Sequence, residues 1–295
     1  MKWEGNRESD NVEDRRSDGG GGGGGGFSFG GGSIGIGTIA IALIGSYFLG
    51  VSPMTIINAI SGGGSPAQVQ QSQAPAQRPP ASDRQAKFVS TVLADTEDVW
   101  TQMFKEQNAQ YIKPKLVLFT GATRTACGTG NTASGPFYCP GDQKVYIDLA
   151  FYRLMQERFH VSSEFAQAYV IAHEVGHHVQ NLQGTSAKLD RLRGRVSEAQ
   201  YNAASVRLEL QADCYAGIWS HDTQQAKGLM ESGDLEEALN AASQIGDDTL
   251  QRETQGRVVP ESFTHGTSAQ RVRWFKRGYE SGDMAQCDTF NTRQL

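Results

Sequence analysis

Cysteine is scarce: four residues in a chain of 295, none of them in a C-x-x-C pair. That spacing excludes a zinc ribbon and a thioredoxin-type redox centre, so any metal has to be held mainly by histidine and carboxylate. Excess positive charge is missing too, because 27 Lys+Arg stand against 32 Asp+Glu for a formal net charge of -5. Without a broad basic surface to meet phosphates, no nucleic-acid partner is expected. Glycines 121, 128 and 130 make a loose glycine-rich stretch, but neither a Walker lysine nor a G-x-G-x-x-G pattern accompanies them, which removes phosphate binding. There is no internal repeat.

What the chain has in abundance is glycine, 35 residues, with an unbroken run at 19–26. Such a run fixes no backbone conformation, and the charged residues before it add little to bury, so 1–32 reads as a disordered, Gly-rich head. Residues 33–51 (SIGIGTIAIALIGSYFLGV) are 19 in a row without a charge. At about 1.5 Å per residue they match a hydrocarbon core of roughly 30 Å, and the long polar leader fits an uncleaved transmembrane helix in a lipid bilayer better than a signal peptide. Lys2, Arg7, Arg15 and Arg16 precede the span while 52–77 holds no basic residue, which predicts a cytoplasmic N-terminus and a domain outside, in a single-pass protein of the cell inner membrane. Residues 52–82 are rich in Gly, Ser, Pro, Ala and Gln and read as a flexible linker, leaving 83–295 as the folded domain. Cysteines in an oxidising compartment pair, and Cys127 with Cys139 and Cys214 with Cys287 is the favoured one of three connectivities.

Within 83–295 the patterns predict an α+β domain, mainly helical with a small antiparallel sheet. Ser82-x-x-Gln85 reads as a capping box opening a helix that runs to about Asn108, with Phe88, Val92, Val99 and Met103 on its apolar face. Residues 115–120 and 143–149 have strand character, and 144–148 reads as an edge strand onto which an extended peptide could add. Helices follow to about His160, over 162–182, and after Ser197-x-x-Gln200, Asp234-x-x-Glu237 and Thr267-x-x-Gln270. Trp100, Trp219 and Trp274 read as core.

His173-Glu174-Val175-Gly176-His177 falls in the middle of the second of these helices. At about 100° per residue the two histidines lie about 40° apart on successive turns, so both reach one metal ion, while Glu174 projects about 60° from His177, beside the ion's open position, where a general base belongs. A catalytic zinc site takes a third protein ligand and a water. Gln180 and Gln183 stand where an H-E-x-x-H-x-x-G-x-x-H pattern needs Gly and His, which excludes a third histidine on that pattern. Glu209-Leu-Gln-Ala-Asp213 sets two carboxylates one turn apart on a later helix. Glu209 is the expected third ligand, with Asp213 accepting the free ring N–H of His173 or His177. Two other assignments stay open: Asp213 as ligand with Glu209 structural, or both as exposed helix charges. His178, about 140° from His173, is expected to be exposed or hydrogen-bonded, and His160 and His221 have no partner at metal spacing.

MKWEGNRESDNVEDRR, FYCPGDQKVYIDLAFY, AYVIAHEVGHHVQNL, SVRLELQADCYAG, LEEALNAASQIGDD and VVPESFTHGTSAQRVRWFKRG together resemble the bacterial neutral zinc metallopeptidase family over nearly the whole chain. His-Glu-x-x-His followed by Glu-x-x-x-Asp is similar to gluzincin peptidases. The resemblance implies a zincin-like fold, one Zn2+, and peptides or unfolded proteins as substrates. Thr264-His265 with Arg271 is similar to a pattern in membrane-bound zinc peptidases, where His-Pro stands in place of His265-Gly266. That similarity implies His265 or Arg271 as the donor to the substrate's developing oxyanion, against a helix-capping histidine and a surface arginine. The competing function is a non-catalytic envelope module that binds a protein or peptide around a structural metal.

Overall fold

The computed structural model describes residues 1–18, 77–132, 135–159, 161 and 163–295. The glycine run, the apolar segment 33–51, most of the expected linker and His160 lie outside the described residues. Among the described residues no helix is long and apolar enough to cross a membrane.

A four-stranded sheet and a set of helices share one core. The sheet comprises β1 (Val12–Asp14), β2 (Lys115–Phe119), β5 (Phe137–Cys139) and β6 (Lys144–Asp148), in the order β1-β2-β6-β5. β1, β2 and β6 run parallel, with Val12 opposite Leu116 and Leu116 opposite Val145, and only β5 is antiparallel. The expectation of a small antiparallel sheet is therefore corrected. The connection from β2 to β6 holds a separate hairpin, β3 (Ala122–Thr125) with β4 (Gly128–Asn131), and this long excursion brings the chain back in its original direction. Alternation along the strands splits the sheet's faces. Leu116, Leu118, Val145 and Ile147 join the main core, whereas Val117, Phe119, Cys139 and Tyr146 form a smaller cluster. Since β6 has partners on both sides, it is not an edge strand; β1 and β5 are.

Helix α1 (Arg84–Glu106) starts one residue later than the sequence pattern suggests, because the Asp83 carboxylate, not Ser82, accepts the Ala86 N–H at 3.0 Å. It buries Phe88, Val92, Leu93 and Trp100. α2 (Ala150–Phe159) leads to α3 (Glu164–Leu182), which is capped by Ser163 and buried around most of its circumference as the central helix of the domain. After the short α4 (Thr185–Asp190), α5 (Glu198–Lys227) opens with the full Ser197–Gln200 capping box. α6 (Asp234–Gln244), α7 (Asp247–Gln255) and α8 (Ser268–Ser281) complete the domain, α8 with a Thr267–Gln270 capping box. α5 and α8 pack backbone to backbone. A Cβ on Gly278 would stand 1.9 Å from the Cys214 carbonyl oxygen, and one on Gly217 would stand 2.0 Å from that of Phe275. Gly278→Ala is therefore expected to cost about 1–3 kcal/mol in urea unfolding, since a backbone neighbour cannot step aside as a side chain can.

Residues 1–18 are part of this domain and not a disordered head. Trp3 is buried edge-on against Phe88 and donates its indole N–H to Glu164 at 2.8 Å, and β1 occupies one margin of the sheet. The charges that suggested disorder have partners. Glu97, buried on α1, accepts from Arg7, Ser9 and Asn11, and Arg16 bridges Asp14 and Asp83. A single membrane crossing between residues 18 and 77 would put these partners on opposite sides, so the expected arrangement of cytoplasmic head and outer domain does not accommodate this sheet. Cysteines introduced at exposed Glu8 and Arg293 should both react, or both resist, an impermeant thiol reagent in intact cells. Labelling of one alone would contradict the strand pairing.

Candidate metal centre

Gly176, inside the His-Glu-x-x-His motif, is the point where α3 meets α5: a Cβ there would lie 3.1 Å from the Ala212 carbonyl oxygen. This close approach carries Glu209 and Asp213, on either side of Ala212, onto the two histidines. Glu209 Oε2 lies 3.2 Å from His173 Nε2, and its Oε1 lies 3.5 Å from His177 Nε2. The imidazole rings stand nearly perpendicular at 89°, with centroids 4.8 Å apart. Each of the three residues offers one ligand atom within 4.8 Å of the others. Zn–N and Zn–O bonds of about 2.0–2.2 Å at a tetrahedral ion separate its ligand atoms by roughly 3.3 Å, close to the 3.2 and 3.5 Å between Glu209 and the two histidines, so the donor set fits zinc. Asp213 does not share the cluster, which makes Glu209 the carboxylate placed to coordinate.

Each ring nitrogen away from the cluster has its own partner. His173 Nδ1 faces Asp213 Oδ1 at 2.9 Å, and His177 Nδ1 faces Gln180 Oε1 at 2.9 Å. Both contacts place the proton on Nδ1 and leave the Nε2 lone pair for a metal. The pattern of α5 left open which histidine Asp213 serves; the geometry selects His173. Asp213 is fully buried and also receives Arg271 as a two-pronged pair, Nε to Oδ2 and Nη2 to Oδ1 both at 2.9 Å, together with the Tyr169 hydroxyl at 2.5 Å. Burial alone would raise its pKa, but Arg271 and His173 outweigh that and bring it to about 2. Burial likewise opposes a charged His173, yet Asp213 and Glu209 prevail and push the ring up to about 10 when no metal competes. Glu209 is held well below the ordinary carboxylate range, its burial outweighed by His177 and His173.

Glu174 differs from its neighbours. It is buried and accepts no hydrogen bond from any described residue. Its desolvation raises its pKa, against the partial opposition of His177 and His173. A carboxylate kept unpartnered beside a metal site is suited to taking up a proton.

His265 and Arg271 part company. Arg271 is buried, with its guanidinium turned to Asp213, the Tyr169 hydroxyl and the Ile245 carbonyl, so it is not a donor to a substrate oxygen. His265 sits in the loop before α8, near enough to Glu209 for their charges to shift one another. Asp247, at the start of α7, holds this loop: its Oδ2 accepts the N–H groups of Thr264, His265 and Gly266, its Oδ1 faces His265 Nδ1 at 3.2 Å, and its own N–H donates to the Gly266 carbonyl. Gly266 has φ +94°, which proline cannot adopt. The glycine where similar peptidases carry proline therefore belongs to a different turn that still fixes the histidine. Burial disfavours a charged His265, but the Asp247 hydrogen bond and Glu209 raise its pKa overall.

The family model described as "Putative neutral zinc metallopeptidase" matches residues 1–290. The chain belongs to this family. It is similar to "Uncharacterized protein YpfJ" of Escherichia coli (strain K12), 52% identical over 292 residues that cover 98% of this chain and 99% of that one. It is also similar to "Uncharacterized protein Rv2575" of Mycobacterium tuberculosis (strain ATCC 25618 / H37Rv), 40% identical over 221 residues, 71% of this chain and 73% of that one. No solved structure matches it.

Elsewhere in this zinc metallopeptidase family member, His178 is buried, bonded to the Ile112 carbonyl through Nε2 at 2.6 Å and to the Tyr138 hydroxyl through Nδ1 at 3.0 Å. Tyr138 also receives Asn181 at 3.0 Å, so edge strand β5 is tied to the helix that carries the metal histidines. His221 bonds the Tyr279 carbonyl, away from the metal histidines. Disulfides join Cys127 to Cys139 and Cys214 to Cys287. The first links the β3–β4 hairpin to β5, and the second locks the C-terminal turn to α5 one residue beyond Asp213. Sequence reasoning missed Tyr169, Asp247 and the bond from His177 to Gln180. Tyr169 and Gln180 had a local signal, their spacings of four from His173 and three from His177 along one helix, whereas Asp247 had none.

Proposed function

We propose that this protein is a zinc-dependent endopeptidase acting on peptides or unfolded chains. The observation that carries the reading is the convergence of His173 and His177 Nε2 on the two oxygens of Glu209, with the buried Glu174 carboxylate, which accepts no hydrogen bond from a described residue, on the same helix. His173, His177 and Glu209 would hold the zinc, which would supply Lewis-acid polarisation of a water and of the scissile carbonyl. Glu174 takes the proton from the attacking water and returns it to the leaving amine nitrogen. His265, oriented by Asp247, donates from Nε2 to the developing oxyanion. Asp213 and Arg271 hold His173 in the tautomer that coordination needs. An extended substrate pairs with the outer edge of β5, which Tyr138 registers against α3. The two disulfides favour an oxidising compartment, so the domain is assigned outside the cytoplasm.

Zinc-loaded full-length protein, incubated with a denatured protein and a peptide library, should generate new amino termini that disappear with 1,10-phenanthroline. Full zinc occupancy with no cleavage would instead favour a binding module around a structural metal.

A further inference from the structure

Beyond Gln180, the His177 contact continues as a chain of amides. Gln180 Nε2 donates to the Leu208 carbonyl at 2.7 Å and to Gln211 Oε1 at 3.1 Å, and Gln211 Nε2 donates to the Cys287 carbonyl at 3.0 Å. Both glutamines are buried, Gln180 at 0% exposure. Glutamine amides can be turned end for end, but here two backbone carbonyls, which only accept, face their nitrogens. That fixes the direction of every link, and Gln180 can present only its oxygen to His177. The ring must therefore carry its proton on Nδ1. The far end of the chain is fixed as well, because Cys287 is disulfide-bonded to Cys214 on α5.

We propose that Gln180 and Gln211 are positioning residues for His177, setting its tautomer and ring orientation, and that the C-terminal turn at Cys287 is the fixed end against which they do so. His173 is oriented by a carboxylate and His177 by a neutral amide relay, so the two metal histidines are held by separate systems. This inference rests on the metal-centre reading above but not on peptidase activity. A partner of this kind behind a ligating histidine typically contributes about 10–100-fold in metal affinity.

The test is zinc affinity of the purified full chain by chelator competition, with the Co(II) absorption spectrum and the unfolding of the metal-free protein recorded alongside. Gln180→Met keeps the shape and removes the hydrogen bonds, whereas Gln180→Glu, as the neutral acid, keeps the acceptor that faces Nδ1 and one donor toward the Leu208 carbonyl. The relay predicts about 10–100-fold weaker zinc binding and an altered Co(II) spectrum for Gln180→Met, and binding much closer to wild type for Gln180→Glu. Gln211→Met should weaken binding by a smaller factor, and adding it to Gln180→Met should change little further, since Gln211 acts only through Gln180. Wild-type affinity and spectrum in Gln180→Met, with the loss appearing in Gln180→Glu, would mean that the site needs only packing there and would overturn the relay. Fully additive effects would overturn it too. A wild-type chain that binds no zinc would fail the metal-centre reading, while shifted affinities without any turnover would leave the relay standing and remove the peptidase.

Discussion

Glu174→Gln is expected to retain zinc while peptide turnover falls by at least about 10²–10⁴-fold, the usual contribution of a positioned general acid–base group. The substitution preserves the volume of a buried side chain and removes only its ability to accept and return a proton. Because Glu174 makes no hydrogen bond to a described residue, no structural network is broken, and its burial favours the neutral form that glutamine mimics. Zinc stoichiometry, unfolding midpoint and initial rates on one peptide would separate these effects. Equal turnover in both proteins would remove Glu174 from the reaction.

Asp213→Ala is expected to act on stability and metal together. Arg271 is buried and pairs with both Asp213 oxygens, so the substitution strands a guanidinium in the core at a cost of about 3–5 kcal/mol. It also removes the acceptor behind His173, which should weaken zinc by about 10–100-fold. Urea unfolding of the metal-free protein measures the first effect, and chelator competition the second. Replacing the pair together, Asp213→Leu with Arg271→Met, should recover much of the stability but not the zinc affinity, since His173 still lacks its acceptor. The pH dependence has a definite sign. A carboxylate depressed to about 2 stabilises the fold fully above its unfolded pKa of about 3.9, and that contribution is lost as pH falls through about 2.

The parts of the site that could be read from the chain are those carried by one helix at a time. His173, Glu174 and His177 lie within about one turn of α3, and helical geometry alone brings them to one side. Glu209 and Asp213 are one turn apart on α5, so a shared role was legible. Their division of labour was legible as the favoured assignment, but which histidine Asp213 serves was not, because that depends on the crossing at Gly176, which puts one carboxylate on the Nε2 side of the histidines and the other behind His173. Asp247 and His265 are joined by a loop and a helix with no period linking them, and no spacing rule finds such a pair. The sheet was misread for a related reason: the β3–β4 excursion conceals that β2 and β6 run the same way. Residues 1–18 were misread because composition counts charges without their partners. Glu13, Arg7 and Arg16 look like a solvated tail until Lys144, Glu97 and Asp83 are placed beside them.

Zinc K-edge absorption of the loaded, full-length protein addresses the coordination itself. The expected spectrum has two imidazole shells at about 2.0–2.1 Å, light oxygen scatterers from Glu209 and one water, and no sulfur. In Glu209→Ala the protein-oxygen contribution and most of the affinity should be lost together. A sulfur shell, a closed set of four protein ligands, or a spectrum unchanged by Glu209→Ala would contradict the site described above.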